Sequence, residues 1–232
     1  MIKDNYEFIF TLLEECERHE EIRQHSKYCL SKELSYTERQ SFYNCYKKIL
    51  NSRRSVWHPV NVLEKKEPER QKLISWYRVK LENEMNEICK EVYLIADLQI
   101  KVSRNLEHKA FFFKMKGDYY RYQAEYQATS DNAEKYGLTA VQNAFYSYEQ
   151  ASEIVLMEFP PTNLLRLSLA LNFSVFFYEI MKSTDRALLI ARMAYQDGIA
   201  DLSSVDGQVK KDAEKLLGMI NENIVLWSSE NI

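Results

Sequence analysis

Glycine and proline are nearly absent from this chain. Five glycines and four prolines in 232 residues come to about 4%, where average usage gives about 12%. An all-β sandwich or barrel of this length needs many tight turns built from those residues, and is excluded. Gly117, Gly137, Gly198, Gly207 and Gly218 also stand far apart, whereas the phosphate-cradling loops of nucleotide-binding folds need clustered glycines. Helices remain, and the 46% apolar content is enough to fill a sizeable core between them.

Apolar residues do recur at helical spacing. Val209, Ala213, Leu216, Ile220, Ile224 and Trp227 follow one another at intervals of 4, 3, 4, 4 and 3 residues. The pattern breaks at polar clusters that offer N-caps: Ser35 before Thr37-Glu38, Ser130-Asp131-Asn132, Pro160-Pro161-Thr162, Ser183-Thr184-Asp185, and Ser203-Ser204 with Asp206-Gly207. About nine helices are predicted, at roughly 3–17, 19–31, 36–67, 69–99, 105–129, 135–158, 163–182, 185–202 and 208–228. No segment alternates like a strand, so the fold class is all-α, with antiparallel helices joined by short loops. Pro59, inside the third helix, lacks a backbone donor and clashes with the Ser55 carbonyl, so a kink or local break is expected there. The run from Glu64 to Arg70 reads as an exposed, solvated connection to the fourth helix.

Charge and cysteine usage narrow the partners. A formal charge of -3 with 28% charged residues creates no global field for nucleic acid. The longest uncharged apolar run, Leu167 to Tyr178, has twelve residues, too few to span a bilayer, so no membrane insertion is expected. The N-terminal residues, with Asp4, Glu7 and Glu14 among the apolar ones, lack a signal-peptide pattern. Cys16, Cys29, Cys45 and Cys89 form no C-x-x-C pair, so free thiols in a reducing cytoplasm are the simplest reading.

Catalytic signatures are missing. Residues three before His19, His25, His58 and His108 are Cys16, Ile22, Ser55 and Asn105, so the E-x-x-H pairs of di-iron bundles do not occur. Neither a zinc-binding H-E-x-x-H helix nor a G-x-S-x-G elbow is present. No metal, cofactor or catalytic residue is expected, and the chain reads as a non-enzyme.

Four stripes, spaced by 3, 4 or 7 residues, each return to one helix face. They are Lys47-Asn51-Arg54-His58; Lys114-Asp118-Arg121-Glu125 with Tyr122 beside it; Ser168-Asn172-Val175-Glu179; and Leu216-Met219-Asn223-Trp227. Taken singly, a charged stripe is usually a solvated face and a Leu/Met/Trp stripe usually core. Pairing within the helix explains Asp118 and Glu125 as well as a site does.

The run from Phe113 to Tyr122, FKMKGDYYRY, and the run from Arg166 to Glu179, RLSLALNFSVFFYE, closely resemble the two most recognisable motifs of the 14-3-3 family. Tyr46-Lys47, the segment Ser52 to Trp57, Arg186-Ala187 and the segment Asn223 to Trp227 support the resemblance. It covers practically the whole chain and is weakest around 60–76 and 130–150. The resemblance implies a single domain over 1–232, with about 1–34 serving dimerisation and 36–228 forming a concave groove in a cup-shaped dimer. It further implies a non-catalytic adaptor that binds phosphoserine or phosphothreonine peptides and so regulates phosphorylated client proteins. Lys47, Arg54, Arg121 and Tyr122 would hold the phosphate, and Asn172 and Asn223 the peptide backbone. Lys114, Leu171, Val175, Glu179, Leu216, Met219 and Trp227 would line the groove. A phosphomonoester of about -1.5 to -2 charge suits paired guanidinium forks, and reading phosphorylated motifs with an arginine cluster is the mode the resemblance implies. The alternative is a helical-repeat-like scaffold whose altered groove binds unphosphorylated peptides.

Where the family usually has an arginine this chain has His58, followed by Pro59, so either the groove rim is altered there or His58 is a solvated histidine with no role. By the same resemblance the dimer, a homodimer or a heterodimer with a paralogue, would bring Leu12 and Cys16 of one copy against Val56, Val60, Leu63 and Tyr77 of the other. Arg18 with Glu84 and Glu21 with Lys80 would pair across its rim.

Overall fold

A computed structural model describes residues 6–26, 32–127 and 137–229. Among them are nine α-helices: α1 (Tyr6–Glu15), α2 (His19–Ser26), α3 (Tyr36–Lys66), α4 (Gln71–Val102), α5 (Leu106–Gln127), α6 (Leu138–Glu158), α7 (Leu164–Glu179), α8 (Thr184–Asp201) and α9 (Gly207–Ser229). Short 3-10 turns at Pro68–Arg70 and Leu202–Ser204 complete the order. The all-α class is thus met. The helix ends expected at 27–31, 128–129 and 135–136, the break at Ser130-Asp131-Asn132, and Cys29 lie outside the described residues. Among the described residues no helix is long and apolar enough to cross a membrane.

The chain divides into two compact units, Met1–Ser103 and Arg104–Ile232. In the first, α3 begins with a reciprocal cap. The Ser35 hydroxyl accepts from the Glu38 amide at 3.2 Å and Glu38 accepts from the Ser35 amide at 2.9 Å, which satisfies two otherwise orphaned donors. The approach to that cap is tied to α4 by the fully buried Gln99. Its Oε1 accepts from Leu34 N and its Nε2 donates to Lys32 O, both at 2.9 Å. Phe42, Tyr46, Leu50, Met85, Ile88 and Val92 then fill the core between α3 and α4.

Pro59 does not break α3, which runs unbroken to Lys66. Contacts on both sides of the proline clamp this helix to α4. Before it, the buried Trp57 donates Nε1 to Glu82 Oε1 at 3.0 Å. After it, Glu64 accepts from Arg78 Nε at 2.5 Å and from the Ser75 hydroxyl. Glu64 is therefore no solvated connector, contrary to the sequence expectation; it is a largely buried half of an interhelical ion pair.

In the second unit, Asn163 caps α7 by accepting from Leu165 N at 3.0 Å and Arg166 N at 3.1 Å, one residue beyond the Pro160-Pro161-Thr162 cluster that the sequence singles out. The preceding turn is tied to the end of α8, where Asp201 accepts from both the amide and the hydroxyl of Thr162. One continuous core is filled from all five helices, including Ala110, Tyr148, Leu171, Phe176, Ala187 and Leu217.

Candidate functional site

Each of the four sequence stripes stays on its own helix, and the two units hold different parts of the predicted set. In the first unit α3 carries Lys47, Asn51, Arg54 and His58. Lys47 is exposed, its ammonium 5.5 Å from the centre of the Tyr43 ring. Arg54 Nη1 donates to Asn51 Oδ1 at 3.4 Å, and exposed His58 meets the Trp57 ring edge-on at 5.1 Å. Leu12, Val56, Leu63 and Tyr77 are exposed apolar side chains on α1, α3 and α4. Cys16 and Lys80 are exposed and Val60 is half-buried. Arg18 pairs with Glu21 within this chain, and Glu84 lies 3.6 Å from Arg53.

In the second unit the structure brings α5, α6 and α7 side chains into one buried polar cluster. Lys114 Nζ donates to Asp118 Oδ2 at 2.9 Å. Asp118 Oδ1 accepts from Tyr148 Oη and from Asn172 Nδ2, each at 2.7 Å. The Tyr148 oxygen in turn accepts from Arg121 Nε at 3.3 Å. Arg121 also stacks over the Tyr122 ring at 4.5 Å and approaches Glu179 to 3.8 Å. Lys114, Asp118 and Arg121 are all buried. Leu171 is buried and Val175 and Leu216 half-buried against the core. Met219 is exposed and Asn223 half-buried. Trp227 is sunk into the core, stacked on Tyr178 at 4.8 Å.

Burial alone would push the Asp118 carboxyl up. The charges of Lys114 and Arg121, with hydrogen bonds from Lys114 and Tyr148, outweigh it and hold the group below its ordinary range. Burial also opposes the Arg121 charge, yet Tyr148, Tyr122 and Asp118 more than offset it and keep the guanidinium protonated. The phenol of Tyr148 is pushed well up by burial and by Asp118, so it stays neutral. The cluster is a fixed array: one anion, two cations and a phenol whose proton points at the anion. Arg121 spends Nε on Tyr148, and among the described residues its terminal nitrogens make no hydrogen bond. A guanidinium held in this way is poised to grip an oxyanion with its outer fork.

Tyr148 is not among the residues the sequence singles out. The signal that points to it is Gly117, a glycine in a helix interior, where it costs about 1 kcal/mol relative to alanine. A Cβ at 117 would lie 2.6 Å from the Tyr148 ring, so only glycine lets this tyrosine reach Asp118.

A family model described as 14-3-3 protein matches residues 9–228. Protein BMH2 of Saccharomyces cerevisiae is 38% identical over 96% of this chain and 83% of its own length. The 14-3-3 protein epsilon of Drosophila melanogaster is 35% identical over 98% of this chain and 88% of its own. A Schizosaccharomyces pombe relative named checkpoint signal transducer rad25 is 35% identical over 98% and 86%.

Proposed function

The chain belongs to the 14-3-3 family, and from that premise we propose that it regulates client proteins by gripping their phosphorylated serine or threonine segments, without catalysing a reaction on them. The observation that supports this reading is Arg121, a buried guanidinium held at Nε by Tyr148 and stacked on Tyr122. Arg121 and Tyr122 are assigned to the phosphate together with Lys47 and Arg54, whose charges a dianion would require, because Asp118 and Glu179 offset those of Lys114 and Arg121. Asn172 and Asn223 are assigned to the peptide backbone, since an amide both donates and accepts. Lys114, Leu171, Val175, Glu179, Leu216, Met219 and Trp227 complete the proposed groove.

The proposal extends to assembly. Residues 1–232 act as one domain that pairs with a second copy, or with a paralogue, in the cytoplasm. The exposed apolar side chains Leu12, Val56, Leu63 and Tyr77 support it, because the rim ion pairs alone contribute only about 0–1 kcal/mol each. Two linked grooves would raise the affinity of a doubly phosphorylated client by roughly 10²–10⁴.

Fluorescence anisotropy tests the binding reading. A labelled Arg-Ser-x-phosphoSer-x-Pro peptide should bind at micromolar concentration or tighter, its unphosphorylated twin at least tenfold more weakly, and Arg121→Ala should erase the difference. Equal binding of both peptides by the unsubstituted protein would remove the reading.

A further inference from the structure

The Asp118 Oδ1 atom is shared. It accepts one hydrogen bond from the α6 phenol Tyr148 and another from the α7 amide Asn172, both at 2.7 Å. A carboxylate held below its ordinary range is an acceptor only. Each partner must therefore turn a hydrogen toward it, and for the one-proton phenol this fixes what it presents on its other side. The phenol has one proton, which goes to Asp118, so its lone pairs face Arg121 Nε–H at 3.3 Å. The amide spends one N–H on Asp118, which fixes which of its two ends faces the carboxylate.

We propose that Tyr148 is a positioning residue for the phosphate site, holding Arg121 by Nε so that both terminal nitrogens are presented as one fork. The inference rests on the phosphopeptide reading above. Tyr148 touches no phosphate itself; it acts through the arginine. Three further features restrict it to that role. The residue is fully buried. Its ring packs on Phe173 at 5.2 Å and lies against Gly117. Its proton is tied to the same atom that orients Asn172, so the phosphate-facing and backbone-facing groups share one reference point. Without the hydroxyl, Nε–H loses its acceptor and only the Tyr122 ring and Glu179 still restrain the guanidinium, so its fork can turn off the phosphate.

A double-mutant cycle on the full chain separates this role from a merely structural one. The probe is the Arg-Ser-x-phosphoSer-x-Pro peptide, read by anisotropy with Tyr148→Phe, Arg121→Lys and the double variant. Lysine has no Nε–H fork for the phenol to hold. Tyr148→Phe is expected to weaken binding about tenfold when Arg121 is present, in keeping with loss of a hydrogen bond to a charged group. It should change binding less than twofold in the Arg121→Lys background. An equal loss in both backgrounds, or no loss in the first, overturns the proposal. Should Tyr148→Phe prove unfolded by circular dichroism, the Arg121 Nε–H resonance of the unsubstituted protein decides. Slow solvent exchange supports the hold, and fast exchange overturns it. Equal affinity of the unsubstituted protein for phosphorylated and unphosphorylated peptide is the distinct outcome that removes the underlying reading, and this proposal with it.

Discussion

Gly117 on α5 and Tyr148 on α6 are packed so closely that a β-carbon at 117 would stand 2.6 Å from two ring carbons of the tyrosine. Neither can yield: the ring is fully buried and its hydroxyl is anchored on Asp118. Alanine has the better helix propensity by about 1 kcal/mol, but overpacking a rigid contact costs about 1–3 kcal/mol. Gly117→Ala should therefore lower stability by up to about 2 kcal/mol and weaken phosphopeptide binding, as the anchor of Arg121 is displaced. A urea midpoint that rises instead would show that the two helices can part without loss.

That pair also marks how far the sequence can be read. Helix order follows from turn scarcity and apolar spacing, which are local properties, and the Ser35–Glu38 cap is legible for the same reason. Lys114, Asp118, Arg121 and Asn172 are legible as stripes on single helices. Their common partner is not, because Tyr148 lies 27 residues from Arg121 and 30 from Asp118 along the chain, and no spacing rule connects α6 to α5. Glu64 deceives for the same cause: its partner Arg78 lies 14 residues away on another helix, while its neighbours in sequence look like a solvated charge run.

Acid should unfold the protein through two carboxylates in particular. For Glu64, burial pushes the carboxyl up, but hydrogen bonds from Arg78 and Ser75 hold it below its ordinary 4.5. Asp118 is likewise held below its ordinary 3.8. A folded-state pKa below the unfolded one means stability that is fully present above the ordinary value and is lost as pH falls through the folded value. Urea midpoints should accordingly fall as pH drops below about 4.5. The combination of Glu64→Gln and Asp118→Asn should start lower at pH 7 and lose less over that acid range. Parallel curves for the two proteins would assign the acid sensitivity to other groups.

Thiol reactivity should differ sharply by position. Cys16 is exposed, whereas Cys45 and Cys89 are fully buried. Burial, with Glu20 and Glu14 nearby, pushes the Cys45 thiol up to about 12, and its Sγ–H donates to the His19 carbonyl at 3.0 Å. Since the thiolate is the nucleophile, Cys45 should resist alkylation at pH 8 while Cys16 reacts in protein diluted until the proposed dimer dissociates. Peptide mass spectrometry after brief iodoacetamide treatment of the native protein reads this directly. Modification of Cys45 at a rate near that of Cys16 would mean that α2 and α3 open far more often than their packing allows.

Pro59 should be a stability defect that its neighbours absorb. A proline inside a helix costs about 3 kcal/mol through a lost hydrogen bond and a ring clash, yet α3 continues unbroken past it. The clamps responsible are Trp57 to Glu82 on one side and Glu64 to Arg78 on the other. The proline ring itself is exposed, so its replacement forfeits little packing. Pro59→Ala restores an N–H able to reach the Ser55 carbonyl and should stabilise the protein by about 1–3 kcal/mol. For a chain of this length that corresponds to a rise in Tm of about 2–6 °C. In a Trp57→Phe background, where one clamp is lost, the gain from Pro59→Ala should be larger, because the strained turn then has less to hold it. Differential scanning calorimetry of the four proteins tests both statements. A gain that shrinks without the Trp57 clamp would mean that the continuity of α3 owes nothing to its grip on α4.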